Sequence, residues 1–214
     1  MSIVVKTLSE QAYEIIRERI LANDMFPAKP IRQDALSQDL GVSKIPLREA
    51  LTRLEQDGLL VSHPNRGFIV RPLSLAEAED VFHLRTTLEP EAAAQGCKKA
   101  TEEDKARVTE IFKRLQSMAN EISPEAVTVN REFHLALSAP AGRKITQELL
   151  FKIHLLSERY VRKHLEPPDR EADAYREHEE IYDAWMNKEP KLVKKLLKEH
   201  THSTLIDLRG ELFE

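Results

Sequence analysis

The feature that most constrains the fold of this chain is a pair of short apolar-periodic segments separated by a tight, glycine-containing turn. The first segment covers residues 33–40 and the second residues 44–57, and in each the apolar side chains recur with helical spacing. Gly41 permits the tight turn between them, and Gly58 is a typical stop after the second helix. Two helices joined in this way predict a helix-turn-helix.

A β-hairpin is predicted directly after the second helix. Two short runs rich in β-strand formers, residues 59–61 and 68–70, flank the turn cluster His63-Pro64-Asn65-Arg66-Gly67. A further apolar-periodic stretch at about residues 7–23 precedes the helix-turn-helix. Residues 1–72 are therefore predicted to form a winged helix-turn-helix domain that binds DNA.

After Pro72 the strand signals stop and helix signals follow. Ser74 and Glu77 have the spacing of a capping box, and Ser123 precedes a proline at a first helical position. The predicted helices cover about residues 75–98, 101–121, 124–138 and 143–165, then from the Pro167-Pro168-Asp169 cluster to about 187, and from 190 nearly to the C-terminus. The fold class is thus mostly α, with a six-helix antiparallel bundle over residues 73–214.

The charge balance argues against DNA binding through bulk positive charge. The 214-residue chain has a formal net charge of −4. Residues 1–72 contain 10 Lys and Arg against 9 Asp and Glu, a net of +1, and the remainder contains 22 against 27, a net of −5. Any DNA binding must therefore come from the placement of a few cations.

The sequence predicts a cytoplasmic protein with no membrane partner. No apolar run reaches the roughly 18 residues that span a bilayer. The first residues lack the basic start and apolar stretch of a secretory signal. The lone cysteine, Cys97, cannot form an internal disulfide, which is typical of a reducing compartment.

The second helix of the motif presents a polar face opposite its apolar one. Lys44 and Arg48 have the chemistry to bond guanine edges or phosphates in a major groove, and Ser43 is placed to cap this helix. The predicted DNA-contacting residues, including two at the hairpin tip, are Ser43, Lys44, Ile45, Arg48, Thr52, Arg66 and Gly67. The alternative is a small helical domain whose charged face is only solvated.

The exact amino-acid sequence of this region favours the DNA-binding alternative. The segment GVSKIPLREALTRLEQDGLL, followed by PNRGFIV, closely resembles the signature of the GntR family of transcription regulators, and the resemblance extends over residues 7–71. Lys44 and Ile45 stand where the family commonly has arginine and threonine, Pro27-Ala28 replaces a frequent Pro-Gly, and Asp34 occupies a position that is often basic. These departures bear on base preference.

Several polar residues of the bundle lie on apolar helix faces. Asn130 and His134 are four positions apart and so share one face. His178 and His200 each lie 11 residues from a predicted turn near Glu189, so both rise about 16 Å from it and stand side by side. Converging imidazoles and an amide oxygen predict a divalent metal site with open positions. The alternative is a set of separate core histidines.

Residues 74–210 resemble the FCD domain of the FadR subfamily, and six helices indicate its VanR-like branch. The residues that carry the resemblance are Arg85-x3-Glu89-Pro90-x-Ala92-Ala93, Asn130-x3-His134, Glu177-His178 and His200. It implies a metal held by Asn130, His134, His178 and His200 and a small organic acid that completes the shell. Imidazole ligands suit zinc, nickel, iron or copper, and zinc or nickel is the metal we expect. Asn130 replaces the usual aspartate, which weakens metal binding but leaves the site more attractive to an anionic effector.

Arg85 lies on a predicted buried face with Phe82, and a buried guanidinium needs an anion. Two partners remain open, the carboxylate of Glu89 and the carboxylate of an effector. The remaining histidines of the bundle, at positions 83, 154, 164 and 202, are predicted to be surface or packing residues.

Three classes of function fit these patterns. The first is a ligand-controlled repressor or activator that binds a two-fold operator as a homodimer, since dimer symmetry matches operator symmetry. The second is a metal-dependent hydrolase or lyase, because histidine-bound metals activate water. Such an enzyme has no need of a winged helix, and Glu177 beside His178 is predicted to be solvated. The third is a structural interaction module.

Overall fold

The structure, a computed structural model, describes residues 6–27, 29–64, 66–118, 123–165 and 170–212. The chain divides into two compact units, Met1–Pro72 and Leu73–Glu214. Among the described residues, no helix combines the length and the apolar character needed to cross a bilayer.

The first unit is a three-helix domain with a two-stranded sheet. Its elements are α1 (Leu8–Leu21), α2 (Gln33–Leu40), α3 (Lys44–Gln56), β1 (Leu60–His63) and β2 (Gly67–Val70). The strands are antiparallel, with Leu60 opposite Val70 and His63 opposite Gly67. Buried apolar residues of all three helices and both strands form one core. The predicted winged helix-turn-helix fold is confirmed.

The turn between α2 and α3 depends on its glycine. Gly41 has a φ of 64°, in the left-handed region that favours a residue without a Cβ. The backbone N–H of Val42 then donates to the carbonyl of Ser37. Ser43 is the N-cap residue of α3, but its side chain makes no capping hydrogen bond. The predicted side-chain cap was therefore wrong, although the helix begins where expected.

The second unit is entirely helical in its described part. It contains α4 (Leu75–Lys99), α5 (Glu102–Ser117), α6 (Pro124–Ser138), a 3-10 turn (Ala139–Ala141), α7 (Lys144–Leu165), α8 (Arg170–Met186) and α9 (Pro190–Leu212). Its core lies between α4 and the helices packed around it, with Trp185 the largest fully buried side chain. The predicted helices correspond to these six, and the Pro167-Pro168-Asp169 cluster falls outside the described residues.

The starts of these helices follow local sequence only in part. Ser123 accepts the N–H of Ala126 at 3.0 Å. Ser74 accepts the N–H of Glu77, but the reciprocal bond of the predicted capping box does not form. The backbone N–H of Ser74 instead donates to the Tyr160 hydroxyl, 86 positions away. A tertiary contact thus replaces half of a local motif.

Candidate functional site

In the first unit, α3 divides into a buried and an exposed face. Leu47, Ala50, Leu51 and Leu54 are buried in the core. The outward face carries the predicted contact residues Ser43, Lys44, Ile45, Arg48 and Thr52, all of them exposed. The start of α3 therefore presents polar and apolar side chains to its surroundings.

Two features distinguish this exposed face. The Lys44 ammonium lies 2.7 Å from a carboxylate oxygen of Asp34, so the unusual acidic residue at 34 partly neutralises the cation next to it. Ile45, beside it, is 73% exposed.

In the hairpin, Arg66 is exposed and Gly67 has a left-handed φ of 70°. Gly67 therefore supplies a turn conformation that other residues rarely adopt.

In the second unit, three histidines from three helices converge. His134 of α6, His178 of α8 and His200 of α9 each offer a ligand atom, and these atoms lie within 4.8 Å of one another. The Nε2 atoms of His134 and His178 are 3.2 Å apart. The rings of His178 and His200 have centroids 4.6 Å apart, as their equal distance along the chain from the α8–α9 turn predicts.

A carboxylate lies behind two of the three rings. The Nδ1–H of His134 donates to Glu89 at 2.5 Å, and that of His200 donates to Glu177 at 2.6 Å. A carboxylate on one ring nitrogen fixes the tautomer and leaves the other nitrogen with a free lone pair, as at metal-bound histidines. Sequence reasoning gave neither acid this role and placed Glu177 in solvent.

Glu89 is the centre of a buried polar cluster. The Nε–H of Arg85 donates to it at 3.2 Å, and His154 Nε2 lies 3.3 Å from it. Burial alone raises the pKa of Glu89, but Arg85, His134 and His154 outweigh burial and hold this pKa well below its usual range. The acid is therefore ionised although it is only 1% exposed.

His154 and His164, predicted to be surface or packing residues, are buried. His154 joins Glu89 and His134 in a second group of closely spaced ligand atoms, and His164 lies 3.4 Å from Asp207. The signal for His154 was present in the sequence, because it shares a helical face with Ser157 and Val161. The sequence does not show which helix that face meets.

Three buried imidazoles, those of His154, His178 and His200, are held in their neutral form. Burial, followed by neighbouring histidines and Arg85, lowers the pKa of His178 and of His200 well below the usual value. Burial and Arg85 lower the pKa of His154 to about 4. Neutral imidazole is the form that binds a metal, so His178 and His200 do not have to lose protons at neutral pH.

A pocket opens beside His178 and His200. Its lining is partly polar and partly apolar, and the polar residues are Arg85, Asn130, His164, His178, His200 and Thr204. Asn130 is 9% exposed, and its amide has no hydrogen bond within the described part of the chain. The apolar remainder consists of Leu115, Met118, Ala126, Val161, Ala174 and Tyr175.

One of the two partners that the sequence left open for Arg85, the carboxylate of Glu89, is present in the structure. The Nε–H of Arg85 donates to Glu89, and Nη1 lies 3.5 Å from the Ser157 hydroxyl. Arg85 is also among the residues that line the pocket. Its partner within the protein is thus Glu89.

Comparison with known proteins identifies both units. Residues 8–70 match the family described as bacterial regulatory proteins, gntR family, and residues 80–203 match the FCD domain. The chain belongs to the GntR family of transcription regulators. Its helical unit is an FCD domain, and this pairing is consistent with the FadR subfamily and its VanR-like branch.

Individual relatives carry similar names. The chain is 37% identical over 134 residues to the Nta operon transcriptional regulator of Aminobacter aminovorans, an alignment that covers 62% of either chain and thus less than two thirds of that regulator. It is 27% identical to the HTH-type transcriptional regulator BphR of Paraburkholderia xenovorans over 96% of this chain and 86% of that one. These relatives are transcription regulators and not enzymes, so the family excludes the hydrolase alternative.

A solved structure shares the fold. McbR/YncC of Escherichia coli has a TM-score of 0.80 to this chain at 21% identity, covering 97% of this chain and 100% of that one. At this identity the likeness concerns the fold, which is a winged helix-turn-helix joined to a helical domain.

Proposed function

We propose that this regulator binds a palindromic operator as a cytoplasmic homodimer, and that a small organic acid bound at a metal ion in the FCD domain controls its affinity for DNA. The observation that carries the proposal is the convergence of His134, His178 and His200, two of them backed by carboxylates, next to a pocket. A structural core has no need of such an arrangement.

The exposed face of α3 supports DNA contact. Lys44 and Arg48 place cations at the start of a helix, where the helix N-terminus also attracts phosphate. The assigned contact residues are Ser43, Lys44, Ile45, Arg48 and Thr52 in the major groove, with Arg66 and Gly67 of the hairpin as a wing in the adjacent minor groove.

The donor set supports a divalent metal. Three imidazoles provide three ligands, and the amide oxygen of Asn130, buried without a hydrogen bond in the described part of the chain, provides a fourth. Imidazole and amide ligands suit zinc or nickel, and four protein ligands leave positions open in a six-coordinate shell. When bound, the metal supplies a positive centre beside the pocket.

The charge of the occupied pocket supports an anionic effector. The four proposed ligands carry no negative charge, so only the carboxylates of Glu89 and Glu177 behind the histidines offset the charge of a divalent ion, and Glu89 is also paired with Arg85. A carboxylate would bind the ion next to Arg85, which lines the same pocket, and the apolar lining residues would contact a short hydrocarbon portion of the effector. We assign Arg85 to effector binding on this basis.

The homodimer is supported by an exposed apolar pair on α7. Ile145 and Leu149, four positions apart on one helix face, are 70% and 48% exposed. A second copy that buries them would give the two-fold symmetry that a palindromic operator requires. An effector then controls transcription if it binds more tightly to one arrangement of the dimer than to the other.

The DNA part is tested by selecting binding sites for the full chain from random duplexes, followed by gel shifts with Arg48→Ala. We expect this variant to lose roughly tenfold or more in operator affinity, because a side-chain contact to a base or phosphate contributes about 1–3 kcal/mol. Arg107→Ala is the matched control, since Arg107 is an exposed arginine of α5. Unchanged affinity of Arg48→Ala would remove Arg48 from the DNA interface.

The metal part is tested on protein purified without chelator, by elemental analysis. We expect His178→Ala to lower the metal content and to blunt the response of DNA binding to small carboxylates. The control is His202→Ala, because His202 is exposed on the helix that carries His200. Full metal content in His178→Ala would contradict the site.

A further inference from the structure

We propose that Ile45 determines base specificity by contacting the C5-methyl group of a thymine in the major groove. The inference rests on the proposed DNA-binding function and adds to it the chemical group that one residue recognises. Ile45 is the most exposed large hydrophobic residue in the described part of the chain, at 73%.

Position makes this exposure informative. Single exposed apolar residues are common on protein surfaces, so exposure by itself indicates little. Ile45, however, is in the first turn of α3 and shares its outward face with Arg48 and Thr52, which follow at helical spacings of three and seven. The other residues around it on this face, Glu49, Arg53 and Gln56, are polar.

The chemistry of the major groove leaves one partner for an aliphatic side chain. Base edges there present nitrogen and oxygen donors and acceptors, and the thymine methyl is the apolar exception. Contact of Ile45 with guanine, adenine or cytosine edges would displace water from polar groups without replacing their hydrogen bonds. Contact with a methyl group buries apolar surface on both sides.

The neighbouring cation strengthens the assignment. Lys44 precedes Ile45, and its ammonium lies 2.7 Å from the Asp34 carboxylate on α2. This ion pair lowers the net charge that the first turn offers to phosphate or guanine. Shape and apolar contact at Ile45 therefore contribute a larger share of the discrimination made by this turn.

The experiment removes only the methyl group. A duplex is first selected with the full chain from a random pool, and each thymine of one half-site is then replaced singly by deoxyuracil. We expect one replacement to weaken binding about fourfold, the equivalent of one buried methyl group. In Ile45→Ala this difference disappears, and in Ile45→Val it is kept, because valine retains the branched carbon.

Ile15→Ala is the control, since Ile15 is an exposed isoleucine of α1, and it should keep the uracil penalty of the natural protein. Thermal melts establish that each variant is folded. If a duplex is selected but every thymine tolerates uracil, or if Ile45→Ala keeps the penalty, the role of Ile45 is overturned while DNA binding stands. If no duplex is selected, the proposed function fails as well.

Discussion

At the scale of single residues, Glu89 and Glu177 make the same contact in different surroundings. Each accepts a hydrogen bond from Nδ1 of a histidine of the proposed metal site. Glu89 is also paired with Arg85 and is fully buried, whereas the Glu177 side chain is 36% exposed. Substituting each acid in turn therefore distinguishes its effect on metal binding from its effect on the stability of the core.

Glu177→Gln should weaken metal binding about tenfold with little change in melting temperature. The amide cannot replace the carboxylate as a charged acceptor for His200, and such supporting contacts typically contribute 10–100-fold in metal affinity. Competition against a chromophoric chelator measures the affinity, and calorimetry measures the stability.

Glu89→Gln is the matched comparison. It should weaken metal binding similarly but also destabilise the FCD domain by about 3–5 kcal/mol, because Arg85 is left buried without its counter-charge. Equal free energies of unfolding for Glu89→Gln and Glu177→Gln would show that the buried Arg85–Glu89 pair does not stabilise the FCD domain.

The predictable residues are those whose position depends on a single helix or a single hairpin. The spacing of Asn130 and His134 is enough to place them on one helix face. The equal number of residues from His178 and from His200 to the turn between their helices is enough to place these two side by side. Glu177 was placed in solvent because it is one position, or about 100°, from His178 on α8. Glu177 contacts His200 of α9. The residue spacing within one helix does not show which side chains of a neighbouring helix it can contact.

At the scale of elements, α4 and the end of α6 approach closely at a glycine. A Cβ on Gly96 would lie 2.2 Å from the carbonyl oxygen of Leu137. That oxygen also accepts the indole N–H of Trp185 at 3.1 Å, so it cannot move freely. The approach of these helices thus requires the absence of a side chain.

Gly96→Ala should therefore destabilise the FCD domain by about 1–3 kcal/mol or more, although alanine favours helix formation by about 1 kcal/mol. Urea unfolding measures the effect. Gly210→Ala in α9 is the control, because nothing lies within 4 Å of the added carbon, and a small stabilisation is expected there. A neutral Gly96→Ala would mean that the helices can separate at no cost.

The elements themselves were largely predictable, since caps, glycines and apolar periods are local signals. One failure came where a distant residue competed with a local one. Ser74 was expected to form a complete capping box with Glu77, but Tyr160 of α7 takes the Ser74 N–H and also donates to Glu77. The convergence of α6, α8 and α9 on one centre depends on packing among several helices.

At the scale of the whole molecule, buried histidines link folding to protons. Burial lowers the pKa of His154, His178 and His200 in the folded protein, while in the unfolded chain each returns to about 6.5. Below that pH the unfolded chain binds more protons than the folded one. Stability is therefore complete above about pH 6.5 and is lost as the pH falls toward 4.

The free energy of unfolding of metal-free protein should fall between pH 7.5 and pH 5, by about 2 kcal/mol from His154 alone if its pKa changes from about 4 to 6.5 on unfolding. Urea titrations in the presence of a chelator measure it. His154→Asn should reduce the pH dependence by that amount, and His202→Asn, at an exposed position, should not change it.

Bound metal should make the dependence steeper, because protons then compete with the ion for the same nitrogens. If the unsubstituted protein, His154→Asn and His202→Asn show the same pH dependence, the pKa of His154 does not change on folding. A protonated His154 would then be accommodated beside Glu89 and Arg85 in the folded protein.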